Sequence, residues 1–149
     1  MCPDVTIAAI QSLLNAKLAT FAAAQSPTLT VAYENKDYTP ATPAVPYLRC
    51  YLLPATPQAS ALGLNALDRI RGIYQVDIMG LPNTGWSAAT SIGDKLRTAF
   101  KPGTQLVGAG SYAGTTVTCE SVALSPAMTE DTRYKISVSI TFYAYMTAA

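Results

Sequence analysis

The sequence predicts an α+β fold: two helices packed on one face of a mostly antiparallel β-sheet, in a single domain over residues 1–149. Three observations carry this. Apolar residues step by three or four in two stretches, one near the start and one after the middle. Elsewhere they alternate with period two in runs rich in Val, Ile, Thr and Tyr. The elements therefore run helix, strands, helix, strands, the order of an α+β sandwich. At 149 residues, half of them apolar, the chain has material for one real core.

The first helix is expected from Asp4 to Ala24. Asp4 is placed to accept hydrogen bonds from the free amides of its first turn. Ile7, Ile10, Leu14, Leu18 and Phe21 form its stripe, Gln11 and Asn15 lie off that stripe, and Pro27 ends it. Thr28–Tyr33 reads as a short strand, Glu34 to Pro40 as turn chemistry, and the proline-rich stretch to Pro46 as an extended loop. Tyr47–Leu53 alternates, with Leu48, Cys50 and Leu52 opposed to Tyr47, Arg49 and Tyr51, and Pro54 and Pro57 close it.

Ala55–Asp68 has no strong period and reads as a surface excursion, yet it carries Ala59, Leu62, Leu64 and Leu67. It either docks on a neighbour or folds over its own core. The strand Arg69–Met79 puts Ile70, Gly72, Tyr74, Val76 and Ile78 on one face, with Arg71, Ile73, Gln75, Asp77 and Met79 on the other. A turn over Pro82–Gly85 leads to a second helix ending at Phe100, striped by Ala89, Ile92, Leu96 and Phe100. Trp86 opens that helix as a core or rim anchor. Lys95, Arg97 and Lys101 suit its C-terminal dipole, and Pro102-Gly103 stops it. Gln105–Val107, Thr115–Val122 and Arg133–Met146 complete the sheet, joined by Gly-rich and Ser-Pro turns.

Chemistry is sparse. The chain has no histidine, which removes the commonest acid–base catalyst and the histidine-dependent triads. The close carboxylates Glu34/Asp37 and Glu130/Asp131 fall in expected turns. Gly108 to Gly114 lacks dinucleotide spacing and precedes a strand, so it reads as a hairpin tip. Cys2, Cys50 and Cys119 are too few and too scattered for a disulfide framework or a metal site, and a reducing compartment fits them. Ten basic and nine acidic residues are mixed along the chain, without a run that grips phosphate. No apolar run approaches the roughly twenty residues that span a bilayer, and no secretory leader is evident. Expected location is a cytoplasm, unless the protein leaves inside a particle.

Charged residues make up 13% of the chain, against roughly a quarter in ordinary soluble domains. Interface cores are depleted in charge, so self-association is expected. Arg49 and Asp77 fall on neighbouring strands and either pair across them or meet another subunit.

An ordered set of strings runs through most of the chain. It comprises Tyr33-Glu34-Asn35, Tyr38-Thr39-Pro40, Pro46-Tyr47-Leu48-Arg49, Leu52-Leu53-Pro54-Ala55 and Leu62-Gly63. Arg71-Gly72-Ile73-Tyr74-Gln75-Val76-Asp77, Thr84-Gly85, Gly103-Thr104, Pro126-Ala127-Met128 and Val138-Ser139-Ile140-Thr141-Phe142 follow. In order and spacing this resembles small tailed-phage and prophage proteins regarded as tail-terminator-like, related in architecture to the siphophage tail terminators. The resemblance implies a subunit that closes into a ring, a hexamer, on the head-proximal end of a tail tube. There it stops tube polymerisation and offers a surface for head joining.

The partners so implied are further copies of the chain, the tail tube protein and a head–tail connector protein, with no cofactor. DNA would pass through the lumen without sequence-specific contacts. Location would be the virion tail or neck, after assembly in the host cytoplasm. Expected subunit or tube contacts are Tyr47, Arg49, Tyr51, Leu62, Leu64, Arg69, Arg71 and Asp77. A sibling reading is a head–tail connector or other neck protein. A reading of another class, a small-ligand-binding or hydrolytic α+β domain, requires a deep pocket with convergent polar groups.

Overall fold

A computed structural model describes residues 7–25, 28–34, 36, 39, 45–55, 58–59, 67–83, 85–108, 115–130 and 133–147. The elements are α1 (Ile7–Ala23), β1 (Thr30–Ala32), β2 (Tyr47–Pro54), β3 (Gln58–Ala59) and β4 (Leu67–Met79). Then come α2 (Ser87–Ala99), β5 (Gln105–Val107), β6 (Thr116–Leu124), β7 (Met128–Glu130) and β8 (Arg133–Thr147). The fold is α+β, with one curled, mostly antiparallel sheet.

Sheet order is β1–β2–β4–β8–β6–β5, with β3 beside β4 and β7 beside β8. Only β1 and β2 pair in parallel among these strands. The spine is β4 against β8, paired without a break from Leu67↔Thr147 to Met79↔Lys135. Because side chains alternate along a strand, this register stacks Ile70, Tyr74, Val76 and Ile78 beside Ala144, Ile140, Val138 and Ile136. Leu48 and Cys50 of β2 join the same row. All are buried, in one core with Ile10, Leu14, Leu18 and Phe21 of α1 and Ala89 and Leu96 of α2. Each fully buried large side chain contributes about 1.5–3 kcal/mol.

Gly72 breaks the apolar row for a steric reason. A Cβ there would sit 2.9 Å from the Phe142 ring and 2.9 Å from the Leu53 carbonyl oxygen. The missing side chain lets Phe142, its register partner, lie over the backbone. Gly93 does the same for α2, since a Cβ would meet Leu124 Cδ2 at 2.7 Å. The helix therefore approaches the sheet closely.

Several expectations need correction. Asn15 does not stand apart from the packed side of α1. It is half-buried, and its Oδ1 accepts a hydrogen bond from the Tyr74 hydroxyl at 2.6 Å. Tyr74 is fully buried, so its hydroxyl requires an acceptor, and the helix amide supplies one. Ile7 is 37% exposed at the first turn rather than part of the core, and Asp4 lies outside the described residues. The expected excursion Ala55–Asp68 contains β3 and the start of β4, with Gln58↔Arg69 and Ala59↔Asp68 in register. The Ser-Pro connection before the last strand holds β7, which turns back on β8 through Glu130↔Arg133. That also removes Glu130 from the turn expected for it. Trp86 is 67% exposed and is not a core anchor. The Gly-rich tip beyond Gly108 lies outside the described residues.

Candidate assembly surfaces

The odd positions of β4 build the opposite face of the sheet. Register places Arg49, Asp77 and Ser137 in one row, then Tyr51, Gln75 and Ser139, then Leu53, Ile73 and Thr141. Arg71 and Tyr143 form the row beyond. Five of the chain's ten cations, Arg49, Arg69, Arg71, Arg133 and Lys135, share this parity on β2, β4 and β8.

Two charge clusters organise it. At one, Arg49 Nη2 stands 3.0 Å from Asp77 Oδ2. Ser137 Oγ and Gln75 Nε2 donate to Asp77 Oδ1 at 2.7 and 2.9 Å. The Asp77 side chain is only 2% exposed, so its charge is compatible with burial because these donors surround it. The Arg49 guanidinium also lies over the Tyr51 ring, 5.5 Å from its centroid. The expected cross-strand pair of Arg49 and Asp77 is therefore formed within the chain.

At the other cluster, Glu120 receives Arg69 at 2.8 Å and Arg71 at 2.7 Å. Arg69 stacks on Tyr143 at 4.6 Å, while its Nε is buried with no partner among the described residues. Glu120 reaches both arginines because of a β-bulge. Register jumps from Cys119↔Phe142 to Ser121↔Thr141, leaving Glu120 as the extra residue. The bulge also reverses parity, so Val117 and Cys119 before it and Val122 after it all serve the core. Between the clusters, Leu53 and Ile73 oppose each other in register and are 51% and 37% exposed.

Of the residues expected from sequence, the structure brings Arg49, Tyr51, Arg69, Arg71 and Asp77 onto this face. Tyr47 shares the parity but is buried with Ala32 and Met79, beneath the Arg133 guanidinium at 4.9 Å. Arg133 Nη1 donates to the Val45 carbonyl at 2.9 Å, tying the loop before β2 to β8. Leu62 and Leu64 lie outside the described residues. Sequence reasoning missed Glu120 and Arg133. Strict alternation from Cys119 gave no account of Glu120's neighbours once a bulge intervened.

A second surface was not foreseen. Two adjoining cavities of about 230 Å³ each share Pro46, Ala88 and Ile92. Leu81 and Tyr134 extend one, and Leu29 extends the other. Together they form a groove along α2 beside Gly80 and Leu81, apolar in the first cavity and lined also by Gln25, Ser91 and Lys95 in the second. Trp86 precedes α2 and makes no side-chain cap bond at the helix start.

Buried thiols face the core, not these surfaces. Burial pushes Cys119 up to about 11, with Lys17 acting weakly the other way. Burial raises Cys50 too, with the Tyr74 hydrogen bond opposing. Among the described residues no three His, Cys, Asp or Glu gather as a metal site, and no helix is long and apolar enough to cross a membrane.

A family model described as phage tail terminator protein matches residues 9–142. No curated protein matches the sequence. One solved structure, whose name states no activity, superposes with a TM-score of 0.73 at 24% identity, covering 97% of this chain and 99% of its own. At that identity the likeness concerns the fold alone.

Proposed function

We propose, for a chain that belongs to the phage tail terminator family, a ring of identical subunits that caps the head-proximal end of the tail tube. The family makes it a structural protein of the phage tail and a component of the virion. The ring, its six-fold count and its role in head joining are our reading.

In that reading both helices pack on one side of the sheet, and the other side meets partners. The observation that carries it is the outer face, where exposed Leu53 and Ile73 lie between two fixed charge clusters. Apolar side chains ringed by positioned arginines and tyrosines are the ordinary makeup of a contact surface. Arg49, Arg69 and Arg71 are already held by Asp77 and Glu120, so little side-chain entropy remains to be lost on binding. A head-to-tail contact whose rotation closes yields a ring, with one rim for the tube protein and one for the connector. A finished ring leaves no free copy of the tube's own joining surface, which stops growth.

The test is tail length by negative stain in particles made without this protein. Overlong, headless tails are expected. Tails of normal length that fail to join heads would transfer the protein to the connector role, and normal infectious particles would end both readings.

A further inference from the structure

We infer that the solvent side of α2 in one copy docks on the outer sheet face of the next, with Asp94 entering the Arg69–Arg71 pair and Trp86 covering Leu53 and Ile73. This names the partner of that face and rests on the ring reading above. The face is short of carboxylates. Arg69 and Arg71 share the single Glu120 at 2.8 and 2.7 Å, which leaves one positive charge without a counterpart. The Arg71 side chain is 54% exposed, and Arg69 Nε has no partner among the described residues. Across the face, the five cations stand against Asp77 and Glu120, leaving it three positive among the described residues. The whole chain is only +1, so the remainder of each copy is two negative, and a second copy is an electrostatic complement.

Asp94 is an exposed carboxylate of that remainder, and among the described residues no hydrogen bond or ion pair engages its side chain. It shares a row of α2 with Ser87, Ser91 and Thr98, all exposed and three or four residues apart. Their short side chains let the helix approach a sheet closely. Lys95 and Arg97 leave the row on opposite flanks, by about 100° and 60° at 3.6 residues per turn. The row points away from its own sheet, because Gly93 on the other side of the helix packs against Leu124 and Ile78. A copy is therefore unable to join its own two surfaces. Copies in succession join them head-to-tail and use up both, as a closed heterologous ring requires.

The two surfaces also match in spacing. Eight residues of helix put Trp86 about 12 Å from Asp94 along α2, less than a quarter turn around it. Four residues of β4 put Ile73 about 13 Å from Arg69. Trp86, 67% exposed, thus meets Leu53 and Ile73 as Asp94 meets the arginines. The indole keeps water from the ion pairs, where they are stronger. A nucleic-acid backbone fits less well, because the middle of the face is apolar and Glu120 opposes phosphate.

The experiment exchanges the charges in assembled particles. Asp94→Arg alone and Arg71→Glu alone should give overlong or headless tails, and the two combined in one chain should restore normal ones. Thermal midpoints of the purified variants check that each is folded. A second measurement joins Ser91→Cys with Ser121→Cys over a Cys2→Ser background, followed by a short bismaleimide and a denaturing gel. Ser121 shares the row of Ile73 and Thr141, and both serines are exposed. A ladder of covalent multiples ending at the ring number is expected, with none from either single variant. Normal tails from a folded single reversal, or normal tails without a ladder, would overturn the contact while leaving the cap intact. A cross-link from Ser121→Cys to the tube protein would also overturn it. Normal tails from particles lacking the protein altogether would remove the ring reading itself.

Discussion

Adjacent residues of β8 show how differently the two faces of one sheet are specified. Phe142 is buried at 1% exposure, in register with Gly72, whose hydrogen makes room for its ring. Tyr143, one residue later, lies half-buried on the other face with the Arg69 guanidinium over its ring. Volume fixes the first face; paired charge positions the second. The core face is therefore expected to answer for stability and the outer face for assembly.

The largest break in that division comes from Phe142→Ala, which should cost about 3–5 kcal/mol in urea unfolding. Tyr143→Ala should cost no more than about 1 kcal/mol, as expected of a half-exposed outer-face residue. Equal losses at the two positions would erase the distinction.

Arg49→Ala probes where the division blurs, because Asp77 is buried although it belongs to the outer face. Removing the guanidinium leaves that carboxylate with Ser137 and Gln75 alone, and a loss of about 3–5 kcal/mol is the upper range for an abandoned buried charge. Arg49→Met with Asp77→Leu should recover much of it, as a double-mutant cycle would record.

Gly72→Ala comes next, at about 1–3 kcal/mol, since the Phe142 ring and the Leu53 carbonyl oxygen must both move. Glu120→Gln is the smallest on stability, within about 1 kcal/mol, because its two partners are substantially exposed.

A pH measurement sharpens the core side. Cys119 is raised to about 11 by burial, so the unfolded chain loses that proton first. Its contribution is complete below about pH 9 and falls as pH rises toward 11, which urea titrations across that range should show. Cys50 and Cys119 should stay unreactive to thiol reagents until unfolding, both being buried.

Much of this was legible in the sequence where period two runs undisturbed. Ile70 to Ile78 and Ile136 to Phe142 declare their inward face, and β4 and β8 pair as that alternation requires. Arg49 and Asp77 could be matched because β2 and β4 share a regular register. Elsewhere the determining fact was tertiary. Asn15 looks like a solvent-facing helix amide until Tyr74 needs an acceptor. Glu120 depends on a bulge that alternation conceals. The groove joins Pro46, from the strand side, to Ala88 and Ile92 of α2, and no local pattern links them. For Trp86 the sequence left core and rim open, because a large aromatic at a helix start suits both, and its exposure removes the core alternative.

Ile73→Asp tests the central claim most directly, because it places a charge in the exposed apolar middle of the outer face. Particles carrying it are to be imaged by negative stain, with the thermal midpoint of the purified variant measured alongside. The expected result is a midpoint within a few degrees of the parent and tails that are overlong or headless. Tails of normal length joined to heads, from a variant equally well folded, would contradict the assignment of this face to assembly.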